Sequence, residues 1–277
     1  GFNLLRGAEG IEGELITANA FGAYLLNMAR PPLDDVRVRR AVARAIDRAG
    51  LVKRLSFGTA DVGYADIPPV LYGATAHDDA NAYDPAAARA LLDAAGWKPD
   101  ADGVRVRNGK RLELLLAGFA GSPSARSVDV QVQSELRAVG IDAQIKDYAA
   151  ATFFAPASAG GPLAAGNFDL APMNWLSGTD LDNAVLFTCA ARPPNGRNYE
   201  GYCSPEMEAL QREARRTYDD AKRRAAYAKI EALLVRDVPM AFISHPKIRI
   251  YRNVDLHRPE PNGVTLWWHV AEWSFGS

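Results

Sequence analysis

Arg126 falls in the first turn of a predicted helix, where a cation opposes the macrodipole at a cost of roughly a few tenths of a kcal/mol unless something negative lies beside it. An anion reverses that sign. Ser122, Ser124, Arg126 and the free amides of the turn make a cradle for a carboxylate at the end of a predicted strand over residues 112–116. The same position also reads as an arginine simply exposed to water. A second constellation is Trp175 with the loop Asp180-Leu181-Asp182-Asn183, where an aromatic face and carboxylates following a strand could meet a cation. Trp175 as core filler and Asp182 as a helix cap are the alternatives. If the two preceding strands are neighbours, a guanidinium and an acidic loop share one edge, which suits a zwitterion such as a short peptide.

Other chemistries lack their patterns. His77, His245, His257 and His269 lie far apart and none is spaced with a cysteine as in a zinc site. A nucleophile elbow, a phosphate-binding glycine loop and a dinucleotide fingerprint are missing, so no cofactor, metal or catalytic residue is expected. Lys plus Arg number 32 against 33 Asp plus Glu, a balance with no broad field to gather nucleic acid or anionic lipid. No apolar run approaches the roughly 20 residues that span a bilayer, so the chain is expected to be soluble, with any export signal outside it. The cysteines, Cys189 and Cys203, are either two unrelated buried thiols or one disulfide around a loop rich in turn residues, Pro193, Pro194, Asn195, Gly196 and Gly201.

The elements that must position these groups follow from periodicity. Residues 23–28 read as a strand, Pro31 and Pro32 break the chain, and Asp34 or Asp35 caps a helix on which Val38, Val42, Ile46 and Leu51 recur. Arg37, Arg39, Arg40, Arg44 and Arg48 read as its solvated face, with an anion-binding role as the alternative. Ile67-Pro68-Pro69 fixes an extended connector, and a helix over 84–95 ends at Gly96. Alternation on both sides of Asn108-Gly109 predicts a type I′ hairpin whose second strand runs on through Leu116. A helix over about 124–139 and a strand over 141–145 complete a βαβ unit, so part of the sheet is parallel and its carboxyl edge is where ligands usually sit. A strand over 168–175, a helix opened by Ser204-Pro205, a long helix from Asp219 or Asp220 to Val235, and strands over 240–250 follow.

Asn27, the segment Pro31-Pro32-Leu33-Asp34-Asp35-Val36-Arg37-Val38-Arg39-Arg40-Ala41 and Ala45-Ile46-Asp47-Arg48 resemble the bacterial solute-binding proteins of the peptide, dipeptide and nickel group that serve ABC importers. The resemblance continues through Tyr83-Asp84-Pro85, Ala95-Gly96-Trp97, Val139-Gly140-Ile141 and Phe168-Asp169-Leu170 with Trp175. Leu186-Phe187-Thr188-Cys189, Asn198-Tyr199 and Tyr202-Cys203 are most similar to the dipeptide- and glutathione-binding members, and imply a Cys189–Cys203 disulfide. Arg126 is similar in position to an arginine that holds the ligand's carboxylate, and Trp175 to a tryptophan beside its amino group. Gly178 stands where those members carry an aspartate.

The resemblance implies an α/β fold: the C-terminal lobe of a type II periplasmic binding protein, a mixed β-sheet flanked by helices. Residues 1–30 would be the inter-lobe crossing segment and first strand, 31–245 the lobe, and 246–277 a return segment towards an N-terminal lobe. It also implies a monomeric, periplasmic receptor that passes peptides to the permease subunits of an ABC transporter. A peptide-sensing chemotaxis receptor, a binding protein for nickel or a sugar, and a hydrolase-like enzyme are the competing expectations.

Overall fold

The computed structural model describes residues 8–68, 81–178, 180–263 and 265–276. Two strands open the chain, β1 (Ile11–Thr17) and β2 (Ala20–Leu26), followed by α1 (Val36–Ala45), α2 (Arg48–Leu55), β3 (Ala60–Val62) and α3 (Pro85–Ala94). A small antiparallel sheet, β4 (Lys98–Pro99), β5 (Arg105–Arg107) and β6 (Lys110–Arg111), precedes β7 (Glu113–Phe119), α4 (Pro123–Arg137), β8 (Asp142–Tyr148) and α5 (Ala150–Phe153). Then come β9 (Leu170–Leu176), α6 (Ala184–Phe187), α7 (Pro205–Arg215), α8 (Asp220–Asp237), β10 (Met240–Asn253), β11 (Leu256–His257) and β12 (Ser274–Phe275).

Local chemistry explains where the helices start. Asp35, Asp47, Asp84, Ser122, Ser204 and Asp219 each accept a hydrogen bond from a first-turn amide of the helix that follows. The apolar pattern over residues 38–51 is two helices rather than one, because Ile46 is extended and Asp47 caps a new start by accepting from the Gly50 amide at 2.8 Å. Asn108 and Gly109 take positive φ, 52° and 73°, as a type I′ turn requires. The hairpin they close stays outside the main sheet, and its second strand ends at Arg111 instead of running on, because Leu112 turns its amide back to the Arg105 carbonyl. Pro69 of the expected connector lies outside the described residues.

The main sheet has the order β1-β10-β2-β9-β7-β8, with β3 alongside β10. It is mixed: β7 is parallel to β8 and to β9, whereas β2 is antiparallel to both β9 and β10. The alternation of β2 shows how the core divides, since successive side chains of a strand point to opposite faces. Tyr24 and Leu26 join one apolar cluster with Val38, Leu92, Leu136 and Ile243, and Phe21, Ala23 and Leu25 join the other with Phe168, Met207, Tyr227 and Phe242. Helices therefore cover both faces. No helix among the described residues is long and apolar enough to cross a membrane.

The arginine-rich face of the first helices departs from the sequence expectation. Arg37 is exposed and ion-paired to Asp35, but Arg39 and Arg48 are only 4% and 5% exposed. Arg39 donates to the carbonyls of Asp237 and Val238 at the end of α8 and to those of Leu33 and Asp34. Arg48 donates to Phe242 O and Asn81 O and lies over the Tyr64 ring; burial pulls its pKa down to about 10. Helix ends leave carbonyls without intrahelical donors, and a guanidinium with five N–H groups can serve several of them at once. A periodicity argument assigns such a residue to solvent because it sees the charge and not the distant acceptors.

This fork of hydrogen bonds predicts that Arg39→Ala lowers unfolding free energy by roughly 3 kcal/mol or more, since it strands buried carbonyls. Arg39→Lys should recover less than half of that, because an ammonium cannot span the same acceptors. Urea denaturation measures both, and a loss below about 0.5 kcal/mol for the alanine variant would contradict the assignment.

Candidate ligand-binding site

Two strand exits meet at one rim. The Asp169 amide donates to the Leu115 carbonyl at 2.9 Å, and the Asp169 carboxylate accepts from the Leu115 amide at 2.7 Å. These contacts sit next to the parallel pair Leu116 and Leu170, so β7 and β9 run side by side in the same direction. With β8 parallel to β7, the carboxyl ends Phe119, Tyr148 and Leu176 lie along a single edge, and Ala20 at the start of β2 faces Leu176 there. In open α/β sheets that edge is the usual place for a ligand.

On the α4 side of the rim a charged cluster forms around Gly118. A Cβ at Gly118 would stand 2.8 Å from Asp147 Oδ1 and 3.2 Å from Asp129 Oδ2, so a larger residue there would push these carboxylates aside. Arg126 pairs with Asp147 at 3.1 Å, and the Tyr24 hydroxyl donates to Asp129 Oδ1 at 2.5 Å. Burial raises the Asp129 pKa, with the Tyr24 hydrogen bond opposing and the Asp147 charge adding to the rise. Burial and the Asp129 charge together push the Tyr24 phenol well above its ordinary range. A depression of about 140 Å³ opens beside this cluster, lined by Gly22, Tyr24, Asp129, Asn174 and Ser244 among others.

On the other side is a larger cleft of about 400 Å³. Its walls include Phe119 and Phe154, with ring centroids 5.5 Å apart, and Met173, Trp175 and Tyr199. Arg197 completes the lining and donates from Nη1 to the Tyr199 hydroxyl oxygen at 2.6 Å. Both depressions are lined by Pro172, Met173 and Asn174, so they adjoin along β9.

Of the residues expected from sequence, Arg126 and Trp175 come to this edge. Ser122 uses its hydroxyl to cap α4, accepting from the Ala125 amide at 3.3 Å, and sits 3.2 Å from the Ser124 hydroxyl. The acidic loop turns elsewhere: Asp180 pairs with Arg223 of α8 at 2.5 Å and Asp182 with Arg215 of α7 at 3.3 Å. Asp182, one residue before the α6 N-cap Asn183, also accepts from the Ala184 amide at 3.0 Å, close to the capping role the sequence allowed. Asn183 is buried, donating to Asp66 Oδ2 and accepting from Gln211, both at 2.6 Å. The cations of two later helices thus compete for the carboxylates that the loop appeared to offer a solute. Cys189 and Cys203 form a disulfide, with an S–S distance of 2.11 Å. His245 is buried with Nδ1 3.1 Å from Ala20 O, and burial lowers its pKa; His77 lies outside the described residues.

Sequence reasoning missed Asp129, Asp147, Arg197 and Tyr199. A signal for Asp129 existed, because it occupies the same helix face as the buried Val132 and Leu136, where a carboxylate calls for a partner. Arg197 and Tyr199 had none beyond their place in the turn-rich loop between the cysteines.

Residues 3–196 match the model described as bacterial extracellular solute-binding proteins, family 5 middle. The chain belongs to this solute-binding family. The dipeptide-binding protein of Escherichia coli (strain K12) is 29% identical over 82% of the chain, which covers 40% of that relative. Among solved structures, NikZ from Campylobacter jejuni in complex with Ni(L-His) superposes with a TM-score of 0.82 at 23% identity, over 99% of this chain and 55% of that one. The oligopeptide-binding protein AppA from Bacillus subtilis in complex with a nonapeptide gives 0.82 at 20% identity, over 100% and 54%. The likeness in structure establishes the fold, an α/β mixed sheet flanked by helices. The chain spans about half the length, or less, of these relatives, and family 5 is a family of binding proteins rather than enzymes.

The buried Asp66–Asn183–Gln211 chain makes a pH-dependent contribution. Burial raises Asp66 from 3.8 to about 6, opposed by the Asn183 hydrogen bond. A raised carboxyl pKa means that the folded chain still holds a proton that the unfolded chain has released. The stabilisation is therefore full below about 4 and lost as pH rises through about 6. At 1.36 kcal/mol per pH unit, roughly 1 to 3 kcal/mol is involved. Asp66→Asn should accordingly gain stability relative to the parent by about that amount between pH 4 and pH 7.5. Denaturant unfolding at the two pH values measures this, and a pH-independent difference would contradict it.

Proposed function

We propose that the chain is the C-terminal lobe of an extracytoplasmic, periplasmic receptor that captures di- or oligopeptides and delivers them to the membrane permease of an ABC importer. The observation that carries this reading is the pair of adjoining depressions at the carboxyl edge of β7 and β9, one edged by carboxylates and the other aromatic with a guanidinium. Opposite charges on either side of an apolar cleft suit a zwitterionic chain with side chains to bury. The dipeptide-binding relative supports a peptide over a bare metal ion, and the nonapeptide complex of AppA shows that this fold can accommodate such a solute. In this reading Arg126, Ser124 and Trp175 edge the site, whereas Asp180, Asp182 and Asn183 hold the α6–α8 layer that supports it.

Residues 31–245 would form the lobe together with the first strand of its sheet, the buried β2 within residues 1–30, while the rest of residues 1–30 and residues 246–277 cross towards a second lobe. The long ribbon in which Ile11 to Thr17 pair with Asn253 to Lys247 supports this division, since it extends β10 beyond its partner β2. Closure of two lobes would then desolvate the solute. The receptor would act as a monomer, with no cofactor.

The expected outcome is that the full-length protein gains several degrees of thermal stability with at least one class of di- to pentapeptide. The comparison set is free amino acids, sugars and nickel. A shift with nickel or a sugar and none with any peptide would overturn the peptide assignment.

A further inference from the structure

The aromatic cleft contains one full charge, and that charge is unanswered. Arg197 is exposed and, among the described residues, has no acidic partner; its guanidinium donates to the Tyr199 hydroxyl. Arg126, by contrast, is already paired with Asp147. A solute carboxylate at Arg126 would share its guanidinium with Asp147 and meet that carboxylate's repulsion, whereas at Arg197 it meets no such acid among the described residues.

The donor geometry at Arg197 suits an anion. Because the Tyr199 oxygen accepts from Arg197 Nη1, its own O–H is left to donate outward. A guanidinium and a phenol hydroxyl then stand side by side as two donors for one carboxylate. Both are held in place before any solute arrives. The Arg197 amide donates to Val185 O at 2.9 Å and the Tyr199 amide to Arg197 O at 2.9 Å. Between them the buried Asn198 side chain donates to the carbonyls of Thr188 and Tyr202, and the Cys189–Cys203 disulfide closes the loop. Donors fixed in this way lose little freedom on binding.

The remaining walls set the companion group. Phe119 and Phe154 pack on the buried Phe153, with centroids 5.6 and 4.8 Å from it, Phe119 tilted at 44° and Phe154 edge-on at 90°. Trp175 and Met173 close the β9 side. At about 400 Å³ the space takes an aromatic or large aliphatic side chain, and rings of this kind favour edge-to-face contact with another ring.

We propose that this cleft is the subsite for the carboxyl-terminal residue of the solute peptide, with an aromatic or large apolar side chain against Phe119, Phe154 and Trp175 and the free carboxylate on Arg197 and Tyr199. The inference rests on the peptide-receptor reading and specifies which end and which side chain the lobe selects.

The test is calorimetric titration of the full-length protein with Ala-Ala-Phe, its C-terminal amide and Ala-Ala-Ala. The free acid should bind roughly 10- to 100-fold more tightly than the amide, and Ala-Ala-Phe more tightly than Ala-Ala-Ala. Arg197→Gln should bring the acid-to-amide ratio to near unity while leaving the melting temperature unchanged, because the side chain is exposed. Tyr199→Phe should reduce the ratio in part. If Ala-Ala-Phe binds but acid and amide are equal, or if Arg126→Gln erases the preference and Arg197→Gln does not, the subsite assignment is overturned and the peptide reading stands. If none of the three binds while nickel or a sugar does, both fall.

Discussion

The account depends on a short piece of parallel pairing. Leu115 and Asp169 exchange hydrogen bonds through backbone and carboxylate, Leu116 lies opposite Leu170, and from there β7 and β9 diverge towards the same rim. Asp169 is itself buried, and burial raises its pKa against the hydrogen bond from the Leu115 amide, so the contact is costly to break. The proposed site stands on the two exits it aligns: α4 with Arg126 and Asp129 after β7, and Asn174 and Trp175 at the end of β9. A loop from a distant part of the chain, closed by a disulfide, then brings Arg197 and Tyr199 against the outer face of that rim.

Charge placement in the molecule follows one rule, that a cation goes where unsatisfied acceptors are. Arg39 and Arg48 are drawn into the interior by backbone carbonyls, whereas nearer the surface Arg215 and Arg223 pair with Asp182 and Asp180, and Arg126 with Asp147. These arginines hold elements together. Arg197 differs because nothing anionic among the described residues reaches it and because the surfaces beside it are aromatic. A cation left unpaired next to an apolar cleft is available for recognition, whereas the same residue inside an ion pair is already committed.

Much of the frame was legible from local chemistry. The caps at Asp35, Ser204 and Asp219, the Asn108-Gly109 turn and the βαβ unit over residues 113–148 are set by residues within a few positions of one another, where periodicity and capping rules operate. The site was legible only in part, since its decisive interactions join positions far apart in the chain. Asp180 and Asp182 looked free because their partners lie on helices that begin some 25 to 40 residues later, at Pro205 and Asp220. Arg39 looked solvated because its acceptors are at Leu33, Asp34, Asp237 and Val238. Arg197 gave no signal, for an arginine in a loop of prolines and glycines is ordinary until the fold sets it beside Phe119 and Trp175.

A crystal structure of the full-length protein with a bound peptide ending in phenylalanine addresses the central claim most directly. The terminal ring should lie between Phe119, Phe154 and Trp175, with its carboxylate within hydrogen-bond distance of Arg197 and Tyr199. A peptide seated away from the β7 and β9 exits, with Arg197 still in water, would contradict the account.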